Sequence, residues 1–147
     1  MSDGPTKPPA AVAAPGDDNS FFEASGGLKL QFVDRVHMEP KAKAMADAGL
    51  NMNQLNRFFR HCRRIEFRLR RKETTWTEEK SEVAALSANA ADAFGKSPPK
   101  IPAGFRDFIY DNVARIRTED DFLKGFMKHF EALMGFASIY AKKGQRG

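Results

Sequence analysis

Cysteine, tryptophan and tyrosine are scarce in this chain of 147 residues, which contains one, one and two of them, respectively. The single cysteine, Cys62, excludes an internal disulfide framework and is typical of a protein from the reducing cytoplasm. No apolar run approaches the roughly 18 residues that cross a bilayer, and the N-terminal segment lacks the apolar stretch of a secretory signal peptide. We therefore expect a cytoplasmic protein that makes no contact with membranes.

The residue clusters of catalytic and metal-binding sites are also missing. The histidines His37, His61 and His129 are scattered, and no group of His, Cys or Asp has the spacing of metal ligands. There is no glycine-rich phosphate loop and no nucleophile motif. An acid–base pair formed by His61 and His129 is the less favoured interpretation, because isolated histidines on amphipathic helices usually lie at the surface. The sequence predicts a protein that is not an enzyme and needs no cofactor or metal.

Helical patterns dominate what the sequence does contain. Residues 1–27 are rich in Pro, Ala, Gly and Asp, which predicts a disordered tail, and we expect residues 28–147 to form one domain. No strand alternation or hairpin signal occurs from residue 50 onward, while residues 28–39 fit either a short extended piece or a frayed helix. Caps, prolines and glycines predict five helices: Pro40 to Ala48, Asn51 to Lys72, Thr75 to Phe94, Pro102 to Ile116, and Thr118 to Ala141. The fold class is predicted to be all-α, a compact bundle of about five helices.

Carboxylates are nearly absent from residues 55–72, LNRFFRHCRRIEFRLRRK, which contain eight Arg or Lys residues and one acid, Glu66. This stretch carries a charge of +7, whereas the other 16 basic and 18 acidic residues sum to −2. On a helical wheel the apolar residues of the second helix form one arc. Opposite that arc lies a row about 80° wide and roughly 21 Å long, made of Arg57, Arg60, Arg64, Arg68 and Arg71.

This arginine row predicts a surface that binds a sugar–phosphate backbone. Like charges at i, i+4 destabilise a helix, and arginine has the planar fork that suits phosphate. No Asn, Gln or Ser interrupts the row, so we expect no reading of base sequence. The spacing of Glu66 allows Arg63 and Arg70, which both lie off the row, as its ion-pair partners. The predicted nucleic-acid contacts nevertheless include Arg63, together with Lys142 and Lys143 after the last helix. Two alternatives are a merely solvated face and pairing with acids of the next helix, such as Glu78, Glu79 and Glu82.

The last predicted helix, within FLKGFMKHFEALMGFASIYAKK, is apolar on its back as well as on its core side. Phe136 and Ile139 lie on that back face. A helix that is apolar all round is either central in the fold or covered by another chain. We therefore predict a subunit interface at Phe136 and Ile139, with a central position of the helix as the alternative.

Two motifs in this order resemble the small α-helical subunit of type III-A CRISPR effector complexes. The first is GLNMNQLNRFFRHC, and the second, about 70 residues later, is FMKHFEALMGFASIY. The positions that match the family pattern are Gln54, Leu55, Phe58, Phe59, Phe126, Phe130, Glu131, Ala132 and Leu133. The chain departs from that pattern at Asn56, where the family usually has arginine, and at SANAADAFGK (87–96), which replaces an Ala-Tyr-x-Ala-Gly-Arg element.

The resemblance implies a non-catalytic subunit that acts in antiviral defence. Its implied partners are guide RNA paired to target RNA, the backbone and large subunits of the same complex, and further copies of itself. The charge pattern leaves one alternative open, a standalone helical DNA-binding regulator that uses the basic helix.

Overall fold

A computed structural model describes residues 16–141, and these residues fold into five α-helices without a named strand. A 3-10 turn at Leu30–Phe32 precedes the first helix, and a π-helical turn at Asp121–Phe126 leads into the last. The helices are α1 Arg35–Asp47, α2 Met52–Arg70, α3 Trp76–Phe94, α4 Ala103–Arg115 and α5 Met127–Tyr140. The predicted fold class is confirmed.

Most predicted helix caps are confirmed. The Asn51 side chain accepts a hydrogen bond from the backbone N–H of Gln54, 3.0 Å away, at the start of α2. Thr75 and Glu78 form the predicted capping box of α3, which ends at Gly95. Thr118 Oγ1 accepts the N–H of Asp121, and the Asp121 carboxylate accepts the N–H of Thr118 in return. These local signals depend on neighbouring residues alone, which is why the sequence was sufficient to place them.

The predicted start of α1 at Pro40 is wrong, because the helix begins five residues earlier at Arg35. Asp34 is the N-cap, and its carboxylate accepts the N–H of His37 at 3.0 Å. Pro40 lies inside the helix, where it cannot donate to the carbonyl of Val36. Val36 is exposed, so water can hydrate that carbonyl. The undecided segment 28–39 is thus a bridge from Leu28 to Phe22, a 3-10 turn and the first turn of α1.

The predicted tail over residues 1–27 extends too far into the chain. Residues 1–15 lie outside the described residues, but residues 16–27 belong to the folded domain. Phe21 is 0% exposed, and its ring lies 5.1 Å from that of Phe32. The guanidinium of Arg115 lies over both rings, at 5.4 Å and 5.1 Å from their centroids. The composition of this segment, rich in Gly and Asp, predicted disorder, although one of its aromatic residues, Phe21, is buried in the core.

Phenylalanine fills the core, as its abundance in the sequence suggests. The largest fully buried side chains include Phe21, Phe105, Phe122, Phe126 and Phe130. Helix α1 packs mainly on α5, and α3 packs mainly on α4, while α2 contacts α3 and α5. One side of α2 therefore faces the core and the other faces away from it. None of the helices within residues 16–141 is both long and apolar enough to span a membrane.

Candidate nucleic-acid interface

Helix α2 has the two faces that the sequence predicts. Leu55, Phe58, Cys62, Ile65 and Leu69 are buried on one side. On the other side Arg57, Arg60 and Arg64 are exposed. No hydrogen bond or ion pair joins their side chains to any other residue within 16–141. These three cations are available to an external anion.

Arg68 departs from the predicted row, because it pairs with a carboxylate of the same chain. Its Nε and Nη2 atoms donate to the two carboxylate oxygens of Glu79, at 2.7 Å and 3.0 Å. Glu79 is only 3% exposed, lies in the first turns of α3, and also accepts from the hydroxyl of Thr74 at 2.8 Å. The hydrogen bond lowers the pKa of Glu79 and raises that of Arg68. The sequence predicted that the Arg68 side chain would face solvent. Instead, it forms an ion pair that connects α2 to α3.

The remaining arginines of α2 have acidic neighbours of their own. Glu66 accepts from Arg63 at 2.7 Å and from Arg70 at 3.0 Å, as its spacing predicts. Arg63 also lies 3.4 Å from Glu131 on α5. Arg71 is exposed and forms an ion pair with Glu73 at 2.8 Å. Arg63 and Arg71 are exposed but also form ion pairs within the chain. Lys142 and Lys143, the other predicted contacts, lie outside the described residues.

A groove between α2 and α3 extends the basic surface beyond the predicted residues. The short turn after α2 makes α3 run back along it, so the end of α3 lies beside the start of α2. The groove has a volume of about 300 Å³. Its polar and charged lining is Gln54, Arg57, His61, Arg64, Asn89, Asp92, Lys96 and Lys100. We call this the α2–α3 groove.

Lys96 and Lys100 are the cations of the α2–α3 groove that sequence reasoning missed. Lys96 forms an exposed pair with Asp92 at 3.3 Å. The backbone N–H of Lys100 donates to the carbonyl of Ala93 at 2.9 Å, which folds the loop back onto the end of α3. The antiparallel order of α2 and α3 was the available signal, because it brings residues near 96 beside residue 57. The segment 87–96, which departs from the family pattern, thus lines the same groove as Arg57.

The histidines do not form a common site. His37 contacts the carboxylate of its capping residue Asp34 at 2.7 Å. His61 lies in the α2–α3 groove, 3.7 Å from Glu82, whereas His129 lines a different cavity between α1 and α4. His129 Nδ1 donates to the carbonyl of Phe32 at 2.7 Å, and burial lowers its pKa to about 4. No three His, Cys, Asp or Glu side chains within residues 16–141 are grouped as metal ligands.

The predicted subunit interface on α5 divides into two residues with different environments. Phe136 is partly buried and packs against the core. Ile139 is 64% exposed on the outer side of the helix. The neighbouring Tyr140 donates a hydrogen bond to Glu39 on α1, so the end of α5 is held in place. Of the two predicted interface residues, Ile139 has the exposure that an interface requires.

Comparison with known proteins gives one assignment for this helical chain. Residues 34–143 match the model of the family described as Csm2 Type III-A. No curated protein and no solved structure matches the chain. The family match spans about three quarters of the sequence and includes all five helices together with the arginine-rich face. The chain therefore belongs to the Csm2 Type III-A family, the small subunit of type III-A CRISPR effector complexes.

Proposed function

We propose that this chain is a non-catalytic subunit that holds the backbone of guide RNA paired to target RNA, through the outward face of α2. The observation that supports the proposal is the set of three exposed arginines, Arg57, Arg60 and Arg64. No carboxylate within residues 16–141 forms an ion pair with them. A guanidinium that pairs with no acid of its own chain keeps its full capacity for phosphate.

The shape of the surface favours backbone contacts over base reading. The three arginines are spaced along one face of a single helix, and the α2–α3 groove adds Lys96 and Lys100 at one side. Evenly placed cations follow a charged strand but do not distinguish its base edges. We therefore expect binding that tolerates any RNA sequence and weakens steeply with salt.

The packing of α1 argues against the alternative of a DNA-binding regulator. A helix-turn-helix module needs its first helix packed on the second, the one that enters the major groove. A short turn does join α1 to α2 here, but α1 packs mainly on α5. The family match agrees with the RNA-guided complex. In that assembly we expect several copies in a row, in contact with the backbone and large subunits, in the cytoplasm.

Charge reversal tests the proposed surface. We expect the triple variant Arg57→Glu, Arg60→Glu and Arg64→Glu to lose RNA binding and keep its helix content. For the wild-type chain, the slope of log K against log salt should be about −3 to −4 if roughly five phosphates of a single strand are neutralised. The measurement is fluorescence anisotropy with labelled RNAs of different sequences at several salt concentrations.

A matched control separates a local site from the effect of net charge. Lys41, Lys124 and Lys128 are exposed on other parts of the fold. Their triple reversal to Glu changes the net charge by the same amount, and we expect it to weaken binding far less. Equal losses in the two triple variants, or wild-type binding by the arginine variant, would show that the α2 face is not the site.

A further inference from the structure

The outward face of α2 holds one exposed aromatic ring among its arginines. Phe67 is 59% exposed and points almost directly away from the buried side of the helix. Exposed apolar residues are common one at a time, and Leu30, Val36 and Ile139 are others in this fold. Of these four exposed apolar residues, Phe67 is the one that lies on α2, where its neighbours are arginines.

Arginines surround this ring on both sides along the helix. Arg63 and Arg64 precede Phe67 by one turn, and Arg70 and Arg71 follow it by one turn. The Arg71 guanidinium lies 5.0 Å from the centroid of the Phe67 ring. A shallow depression of about 690 Å³ at this place is lined by Arg63, Arg64, Glu66, Phe67, Arg68 and Arg70. The ring is thus the apolar centre of a cationic patch.

An aromatic ring among arginines has the chemistry of a nucleobase-stacking site. Bases of single-stranded RNA stack on aromatic rings and on guanidinium planes, while the flanking phosphates pair with cations. Bases within a duplex are already stacked on their neighbours and cannot reach such a ring. We infer that Phe67 is a stacking platform for a nucleobase of the guide or target RNA that lies outside the paired region, an inference that rests on the proposed function.

The charges around the ring favour a nucleic acid over an apolar protein surface as the occupant. The single carboxylate of the depression, Glu66, is only 7% exposed and already accepts hydrogen bonds from Arg63 and Arg70. Arg64 has no acidic partner within the described residues. An apolar protein surface over this patch would desolvate that cation without compensating it, whereas a phosphate beside the base would pair with it.

Affinity measurements with two forms of the same RNA test the platform. For the full chain we expect Phe67→Ala to lower the affinity for a single-stranded RNA by about 5- to 100-fold. The affinity for the corresponding duplex should change by less than about twofold, because its bases are not available to the ring. Phe67→Leu should resemble Phe67→Ala, since it keeps apolar area but not the aromatic face. Ile139→Ala, at an equally exposed position on α5, should affect neither RNA.

Fluorescence gives a direct readout of stacking. In Phe67→Trp we expect single-stranded RNA to retain wild-type affinity and to quench the added indole. An indole introduced by Ile139→Trp should show no quenching beyond that of the wild-type chain. The native Trp76 is present in all these proteins and therefore cancels in the comparison.

The outcomes that overturn the platform differ from those that overturn the proposed function. Equal affinity of wild type and Phe67→Ala for single strands, equal losses for single strand and duplex, or an unquenched Phe67→Trp would each exclude stacking. If the arginine triple variant still loses binding in those cases, the proposed contact of α2 with the RNA backbone is retained and only the stacking role of Phe67 is excluded. A wild-type chain that binds neither RNA would overturn both.

Discussion

The arginine residues of α2 fall into two groups. Some remain exposed to solvent, and others form ion pairs with nearby carboxylates of the same chain. Arg60 and Arg68 are two turns apart on α2, and the helical pattern places both in one row. Arg60 extends into solvent, while Arg68 holds Glu79 with two hydrogen bonds. The Glu79 carboxylate is buried, so it requires a cation to compensate for the water it has lost.

This difference predicts that alanine at position 68 lowers the stability of the fold, whereas alanine at position 60 weakens RNA binding. Arg68→Ala leaves Glu79 buried with only the Thr74 hydroxyl as a side-chain donor, and we expect the free energy of unfolding to fall by about 1.5–3 kcal/mol. Arg60→Ala should change it by less than about 0.5 kcal/mol and should weaken RNA binding instead. Urea unfolding together with RNA titration measures both quantities. Similar stability losses in the two variants would contradict the distinction.

At the scale of elements, the N-terminal segment is attached to the start of the last helix through one glycine. A Cβ atom at Gly125 would lie only 2.6 Å from Cγ and 2.8 Å from Cδ2 of the Phe21 ring. The absence of a side chain at position 125 lets this ring lie directly against the π-helical turn. Phe21, itself flanked by Arg115 and Phe32, thereby closes one end of the core.

Gly125→Ala should therefore destabilise the fold by about 1–3 kcal/mol, because the ring of Phe21 has no free space to move into. In a Phe21→Ala background the same substitution should cost much less, since the ring is gone. A double-mutant cycle from thermal or urea unfolding measures this coupling.

Gly135→Ala on α5 is the matched control. No atom lies within 4 Å of a Cβ at that position, and alanine favours helix over glycine by about 0.5–1 kcal/mol. We expect this variant to be as stable as the wild type or more so. A Gly125→Ala cost that is the same with and without the Phe21 ring would exclude the close contact as its cause.

At the scale of the whole molecule, the exposed arginines lie on α2 and the exposed Ile139 lies near the end of α5. We propose that one copy contacts RNA with α2 and a neighbouring subunit with Ile139 of α5. For an exposed apolar residue at such an interface, a buried charge is the most disruptive change.

We expect Ile139→Asp to reduce the number of copies that assemble with the other subunits of the effector complex, without lowering the stability of the isolated chain. Phe136→Asp is a less informative test, since Phe136 packs against the core and its loss affects folding as well. Leu30→Asp, at a residue 70% exposed before α1, provides the control. Native mass spectrometry of the purified complex counts the copies, and an unchanged count for Ile139→Asp would remove Ile139 from the interface.

Sequence patterns alone were sufficient for the features that depend on near neighbours in the chain. The caps at Asn51, Thr75 and Thr118, the buried side of α2 and the pairing of Glu66 with Arg63 and Arg70 all involve residues within four positions of each other. Helical periodicity converts such spacings into geometry without knowledge of the rest of the fold.

Only the tertiary structure decided which arginines remain available, where the N-terminal segment lies, and that Lys96 and Lys100 share a groove with Arg57. Arg68 meets Glu79 across 11 positions, and Phe21 meets Gly125 across about 100. These contacts depend on how helices pack against one another. The spacing of nearby residues does not predict which distant carboxylate or ring will contact a given side chain. The sequence by itself determined a helical protein with one basic face; packing determined which cations of that face remain exposed without a carboxylate partner.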